Sequence, residues 1–411
     1  MWMLSTRRSP ESTDKVTFVT RRLSSASSFP VWRGDKLLIV GNRGWQSTLA
    51  IENPSDRKNS PVFVMGCHRS GTNFLYDMLL SAGGFAIYRG SLPVYETLIP
   101  RFGSMEHRGN REKLLRTWVR SKGFRRTGLD AEPLSSRILN ECRNGGDFIR
   151  LIMDAVAQSQ GVPRWVLYDP DNVLHLERLK ACIPNALFLH IIRDGRDIAL
   201  SLKKMGGFQP LPWDRSETRS LVATALYWEW MVRNGREHGS RFPSDYMEVH
   251  YEDLITQPRE TLQRLGGFLD HDLDYDRIKR AGLGRLSESN SSFRDEAGRD
   301  EAATEKINPL GRWKKRLSRT DVAAIEAAVG DCLEQNGYAL SLPAAERTPG
   351  VREWGNWALY RSFLSTKMWL KLNTPAGRLA NLSVLQLQDG PEPVTNTPEG
   401  EHHESDVSIT Q

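Results

Sequence analysis

Between Val64 and Leu80 the chain reads VMGCHRSGTNFLYDMLL, with four residues separating Gly66 from Gly71. That spacing suits a loop whose backbone N–H groups converge on a phosphate. Gly66 and Gly71 permit the turn and a close approach of the anion. Arg69 offers a fixed guanidinium fork, and Ser70, Thr72 and Asn73 offer side-chain hydrogen bonds. A tight glycine turn capped by Ser and Thr accounts for the spacing equally well. Thr72 stands where a nucleoside-triphosphate enzyme carries lysine, and Asn73 where it carries a magnesium-binding Ser or Thr. The terminal charge of a triphosphate would be poorly neutralised here, which disfavours an ordinary kinase or ATPase. A nucleotide with one 5′ phosphoryl group and a transferable group attached needs only the loop and one cation.

A second constellation lies in LHIIRDGRDIALSLKKMG. Arg193 falls at the carboxyl end of an apolar run, and Ser201 follows eight residues later on the next helix. Carboxyl ends of parallel strands are where open α/β sheets bind ligands. An Arg and a Ser so placed can grip a second, separate phosphate. Asp194 and Asp197 read as helix caps rather than catalysts.

The elements that must position these groups follow from periodicity. PVFVM, WVLYD, ALFLHIIRD and DYMEVHYEDL (Asp245–Leu254) are short apolar or alternating runs and read as strands. Helical spacing appears in TNFLYDMLLSAG, REKLLRTWVR, GGDFIRLIMDAVAQSQG, NVLHLERLKACI (Asn172–Ile183), TRSLVATALYWEWMVRNGRE and DVAAIEAAVGDCLEQNGY. This alternation predicts an α/β domain with a P-loop-like central parallel sheet and helices on both faces. Residues 1–60 read as a partly flexible N-terminal extension, with LLIVG (Leu37–Gly41) a candidate strand left unplaced. The domain proper spans 61–342, an aromatic and basic helical addition spans 343–388, and 389–411 reads as a disordered tail.

Composition narrows the partners. The net charge is +6 in 411 residues, a mild excess that fits an anionic ligand. It lacks the clustered basic density of a nucleic-acid surface, so no nucleic-acid partner is expected. Cys67, Cys142, Cys182 and Cys332 are widely spaced without a Cys-x-x-Cys pair, which predicts neither a metal site nor a disulfide framework. The N-terminus turns polar after four residues and there is no run of about 18 apolar residues, so a cytoplasmic protein without a membrane span is expected.

Taken together, strand–HRSGT–helix followed after a second strand by IRDGRDIALS resembles the sulfotransferase family. HYEDL (His250–Leu254) and GRWKKRLS (Gly311–Ser318) are lesser matches, and the similarity runs from about Pro61 to Tyr338. It implies the sulfotransferase fold and use of 3′-phosphoadenosine 5′-phosphosulfate (PAPS) as co-substrate, with no metal required. It further implies that Arg69, Ser70, Gly71, Thr72 and Asn73 hold the 5′-phosphosulfate and that Arg193 and Ser201 hold the 3′-phosphate. Arg69 takes the place of a lysine common in relatives, as in protein-tyrosine and bacterial members. Where relatives often read Lys-Thr-Pro, this chain reads Tyr168-Asp169-Pro170, so a cation is absent there and the acceptor pocket is atypical.

The acceptor, a hydroxyl or amine on a small molecule, lipid or carbohydrate, must lose a proton. The family places its His or Glu base after the helix of the phosphate loop, and Glu96 is the one carboxylate in YRGSLPVYETL. Glu96 is the preferred base and Arg69 the residue facing charge that develops in the reaction. His107 is second, and His68 is read as packing or orienting. Asp169 either orients the acceptor or caps the helix after it. Arg312 and Trp313 either close over the adenine or 3′-phosphate, or Trp313 is core. Ser287–Asn308 reads as a lid, and Tyr88–Gly109 and Gly206–Arg219 as acceptor walls. Trp354–Leu372 mixes tryptophans with Arg361, Lys367 and Lys371; packing on the domain or a subunit contact is favoured over peripheral membrane contact. Oligomeric state is left open. The alternatives are a non-catalytic nucleotide-binding relative and a nucleotide kinase or NTPase with a degenerate loop.

Overall fold

The computed structural model describes residues 30–33, 36–39, 54–205, 208–214, 219–282 and 309–379. The chain divides into two units, Met1–Ile51 and Glu52–Gln411. In the first, β1 (Pro30–Arg33) and β2 (Lys36–Ile39) form an antiparallel hairpin. The predicted lid Ser287–Asn308 and tail 389–411 lie outside the described residues.

The second unit is built on five strands: β3 (Val62–Gly66), β4 (Phe85–Ala86), β5 (Arg164–Tyr168), β6 (Leu187–Ile192) and β7 (Tyr246–His250). Their order is β4-β5-β3-β6-β7 and every pairing is parallel. The α/β class follows. Alternate side chains divide the core in two. Phe63 and Met65 face helices Gly145–Ser159, Gly195–Lys203 and Leu221–Gly239, while Val62 and Val64 face helices Thr72–Ala82 and Pro258–Leu269. Both faces being buried explains why these strands read as unbroken apolar runs.

Two predicted elements are divided. Asp245–Leu254 is a strand only to His250, and Tyr251–Thr256 turns helical with Glu252 and Asp253 in its first turn, where acidic side chains favour a helix start. Asn172–Ile183 is a 3₁₀ turn, Pro170–Leu174, followed by a helix, Leu176–Cys182. A helix Ala131–Glu141 was not anticipated. The Trp354–Leu372 stretch lies within one helix, Val351–Asn373, in which only Leu364 is fully buried. Among the described residues, no helix is long and apolar enough to cross a membrane.

Candidate active site

The loop between β3 and helix Thr72–Ala82 is held in a conformation that few residues tolerate. Gly66 has φ 151° and lies so close to β6 that a Cβ would sit 2.3 Å from the Ile191 carbonyl oxygen. At Gly71, φ is 101° and a Cβ would meet the Tyr251 ring at 2.4 Å. Between them Arg69 takes φ 72°, in the left-handed region although it is not glycine, an arrangement that costs of order 1–3 kcal/mol and is typically retained at functional sites. It turns the Arg69 side chain outward. The Ser70 hydroxyl is buried and has no hydrogen-bond partner within the protein.

Register in the sheet brings the second motif alongside. Gly66 pairs with Ile191, and Arg193 follows directly after β6. Arg193 donates to the Arg69 carbonyl at 3.4 Å and to the Pro309 carbonyl, and its guanidinium lies 4.3 Å from the centre of the Tyr251 ring. Arg69 Nε donates to the Ser201 hydroxyl at 2.9 Å. The two motifs therefore face one place. A cavity of about 300 Å³ opens there, lined by Arg69, Ser201, Lys204, Arg312 and Arg316 with Leu200 and Met205. Among the described residues, no carboxylate lines it. Arg312 Nε is buried without a partner, and burial followed by the charge of Arg193 lowers the Arg312 pKa. Such a cluster of like charges suits an anion with more than one phosphate.

Asp194 caps helix Gly195–Lys203 by accepting from the Arg196 N–H. Asp197 does something else. Fully buried, it accepts from the backbone N–H groups of Gly311 at 2.8 Å and Trp313 at 2.9 Å. It thereby fastens the Gly311–Trp313 segment beside Arg193, whose guanidinium is 3.9 Å away. Trp313 is only 5% exposed, donates its indole N–H to Asp194 and stacks under the Arg196 guanidinium. It sits beneath the cavity wall; Arg312 faces the cavity.

On the other side of the loop lies a group of titratable residues. His68 pairs with Asp171 at 3.3 Å, and they keep 26% and 24% of their side-chain surfaces open. Burial would lower the His68 pKa, but Asp171 more than offsets this and raises it. Burial would raise that of Asp171, and His68 brings it down. Asp169 is pushed up to about 7 by burial and then by the Asp171 charge. The partly open His68 and Asp171 beside the buried Asp169 make a polar recess next to the loop.

Glu96 reaches this recess from a π-helical turn, Val94–Leu98, a geometry frequent at functional sites. Its Oε2 is 3.0 Å from His175 Nε2, and its Oε1 is paired with Lys371. His107 is exposed and opens helix Arg108–Trp118, outside these contacts. Asp169 caps the 3₁₀ turn through the Asp171 N–H, while its Oδ2 is buried without a partner. Tyr168 packs against Tyr76 with ring centres 4.7 Å apart. Sequence reading missed Asp171, His175, Tyr251, Lys204 and Lys371. Asp171 stands two residues beyond a carboxylate already singled out, and Tyr251 and Lys204 lie within the HYEDL and IRDGRDIALSLKK stretches; His175 carried no local signal.

Among the described residues, no group of three or more His, Cys, Asp or Glu is arranged to hold a metal ion.

Residues 61–275, more than half of the chain, match the model of the Sulfotransferase family. Protein-tyrosine sulfotransferase A of Caenorhabditis elegans is 26% identical over 230 residues, covering 55% of this chain and 54% of that protein. Sulfotransferase 1B1 of Mus musculus is 27% identical over 99 residues, covering 22% of this chain and 32% of that protein. The chain spans between 32% and 54% of the length of the curated relatives it matches. Among solved structures, the sulfotransferase domain of the Synechococcus PCC 7002 olefin synthase aligns with a TM-score of 0.43 and 17% identity, over 69% of this chain and 96% of that domain.

Proposed function

The chain belongs to the sulfotransferase family, and from that premise we propose that it transfers the sulfuryl group of PAPS to a hydroxyl or amine. The observation that carries this reading is the Arg69–Ser201 contact at the edge of a cavity lined by four cations and, among the described residues, no carboxylate. The residues fit such a donor. Ser70 Oγ and Arg312 Nε are buried and lack partners, and Gly71 has no room for a side chain. Arg69, Ser70, Gly71, Thr72 and Asn73 would hold the 5′-phosphosulfate; Arg193, Ser201 and Arg312 would hold the 3′-phosphate, with Trp313 setting the position of Arg312.

When bound, the donor supplies an electrophilic sulfur joined to a phosphate that leaves. Charge grows on the bridging oxygen as that bond breaks, and Arg69 with the loop N–H groups stabilises it. Glu96 removes the acceptor proton as the new S–O or S–N bond forms. A carboxylate has about four lone-pair sites, so its bonds to His175 and Lys371 leave room for that proton. Arg69 and Glu96 are thus the proposed catalytic residues, with the acceptor a small molecule, lipid or carbohydrate. Four unpaired thiols support a reducing compartment such as the cytoplasm.

Tyr168, packed on Tyr76 where relatives often carry lysine, favours a second reading, a nucleotide-binding relative without turnover. Decay of sulfur-labelled PAPS with a cell extract as acceptor source separates the two. Labelled product in the extract supports transfer, and tight binding of adenosine 3′,5′-bisphosphate with no decay supports the second reading.

A further inference from the structure

Glu96 is held from a distant part of the chain. Lys371, 275 residues later, pairs with Glu96 Oε1 near the end of helix Val351–Asn373. The chain then turns through Pro375–Leu379 and packs on the segment that follows Glu96. A Cβ on Gly377 would stand 2.8 Å from the Pro100 side chain, and Arg101 donates to the Arg378 carbonyl. One end of this C-terminal segment thus grips Glu96 and the other grips Pro100 and Arg101. The turn between them is irregular: Leu98 and Ile99 donate five residues back, to the Pro93 and Val94 carbonyls. A π turn has poorer intrinsic stability than an α-turn, so its geometry depends on outside support. All of these C-terminal residues lie beyond the matched span 61–275.

We propose that Lys371 is a positioning residue that, with the Pro375–Leu379 turn as a clasp, holds the Glu96 carboxylate toward the recess. This rests on the reading of Glu96 as base. The helix is suited to that task because polar contacts tie it to the domain along its length. Tyr360 donates to Asp214 at 2.7 Å, Arg361 to Glu229 at 2.8 Å and Trp230 to Ser365 at 3.1 Å. Those contacts fix its axial register, and register decides where Lys371 arrives. Other charged and titratable groups acting on the recess are His175, His68, Asp169, Asp171, Tyr227 and Lys367.

The test uses the full chain saturated with adenosine 3′,5′-bisphosphate. Amide hydrogen exchange at Thr97, Leu98 and Ile99 should rise by about tenfold in Lys371→Met, while amides of the Val62–Gly66 strand stay unchanged. Lys371→Arg should restore protection, and Gly377→Leu, whose side chain would collide with the Lys371 carbonyl and with Pro100, should reproduce the loss. Donor decay is then followed with water and with 4-nitrophenol as probe acceptors. Lys371→Met should slow it by on the order of 10²-fold with donor KM unchanged. Unchanged exchange, or an unchanged rate, overturns the proposal. Glu96→Gln at full rate defeats the base assignment instead, and loss of bisphosphate binding in the parent protein defeats the donor reading.

Discussion

Arg69 donates from Nε to the Ser201 hydroxyl at 2.9 Å, joining two motifs separated by 132 residues. The contact makes the phosphate loop and the helix after β6 parts of one wall, and the two sides of that wall are expected to differ in their tasks.

On the proposed reading Arg69 faces charge that develops during reaction, so Arg69→Ala should lower kcat by about 10²–10³-fold. Arg193→Ala should instead weaken adenosine 3′,5′-bisphosphate by about 10–100-fold, the worth of a charged hydrogen bond. Calorimetry and initial rates on the two variants distinguish these effects. If both lose affinity alone, the division of roles is wrong.

Gly71→Ala places a methyl group 2.4 Å from the Tyr251 ring at φ 101°. It should cost at least about 2 kcal/mol of stability and disturb donor binding. Gly83→Ala, at φ 80° and ψ 173° with nothing within 4 Å, meets no collision but lies in a region essentially confined to glycine, and should cost about 1–3 kcal/mol. Urea midpoints of the two variants measure both costs.

Asp169 has its pKa raised to about 7 by burial and Asp171. A carboxyl whose folded pKa lies above its unfolded one favours the fold while protonated. Its contribution is complete below about pH 4 and is lost as pH rises through about 7. Asp169→Asn keeps the acceptor oxygen that caps the Asp171 N–H at 3.1 Å and cannot ionise. Its stability relative to the parent should therefore grow between pH 4 and 8, by on the order of 2 kcal/mol. Equal thermal shifts at pH 5 and pH 8 would refute this.

Chelation offers a simple contrast between enzyme classes. Bisphosphate binding should be the same in EDTA and in millimolar magnesium, because Arg69, Lys204, Arg312 and Arg316 of the cavity lining supply the positive charge. A kinase or NTPase would bind its nucleotide tightly only with the metal.

How much of this was legible in the sequence depends on how the residues are brought together. Gly66, Arg69 and Gly71 sit within six residues, and Arg193 and Ser201 within nine. Strand ends in a parallel sheet converge on one edge, so periodicity and spacing sufficed for both motifs. Glu96 was singled out as the one carboxylate in YRGSLPVYETL, from the family resemblance. Its partners were not. His175 lay in a stretch that read as continuous helix, and Lys371 lay in a segment whose tryptophans suggested packing. Long-range pairing of this kind leaves no periodic trace. The same applies to Asp197: its position in a first helical turn looked like a cap, while its actual partners are N–H groups more than a hundred residues away.

The crowding of Arg69, Arg193, Arg312, Arg316 and Lys204 around a small cavity bears on the tempo of a catalytic cycle. On the proposed reading, the spent nucleotide keeps both of its phosphates after transfer, so it still satisfies the mutual repulsion of those side chains. Departure would then be the slow event, and accumulated by-product would throttle the enzyme unless something in the surroundings consumed it.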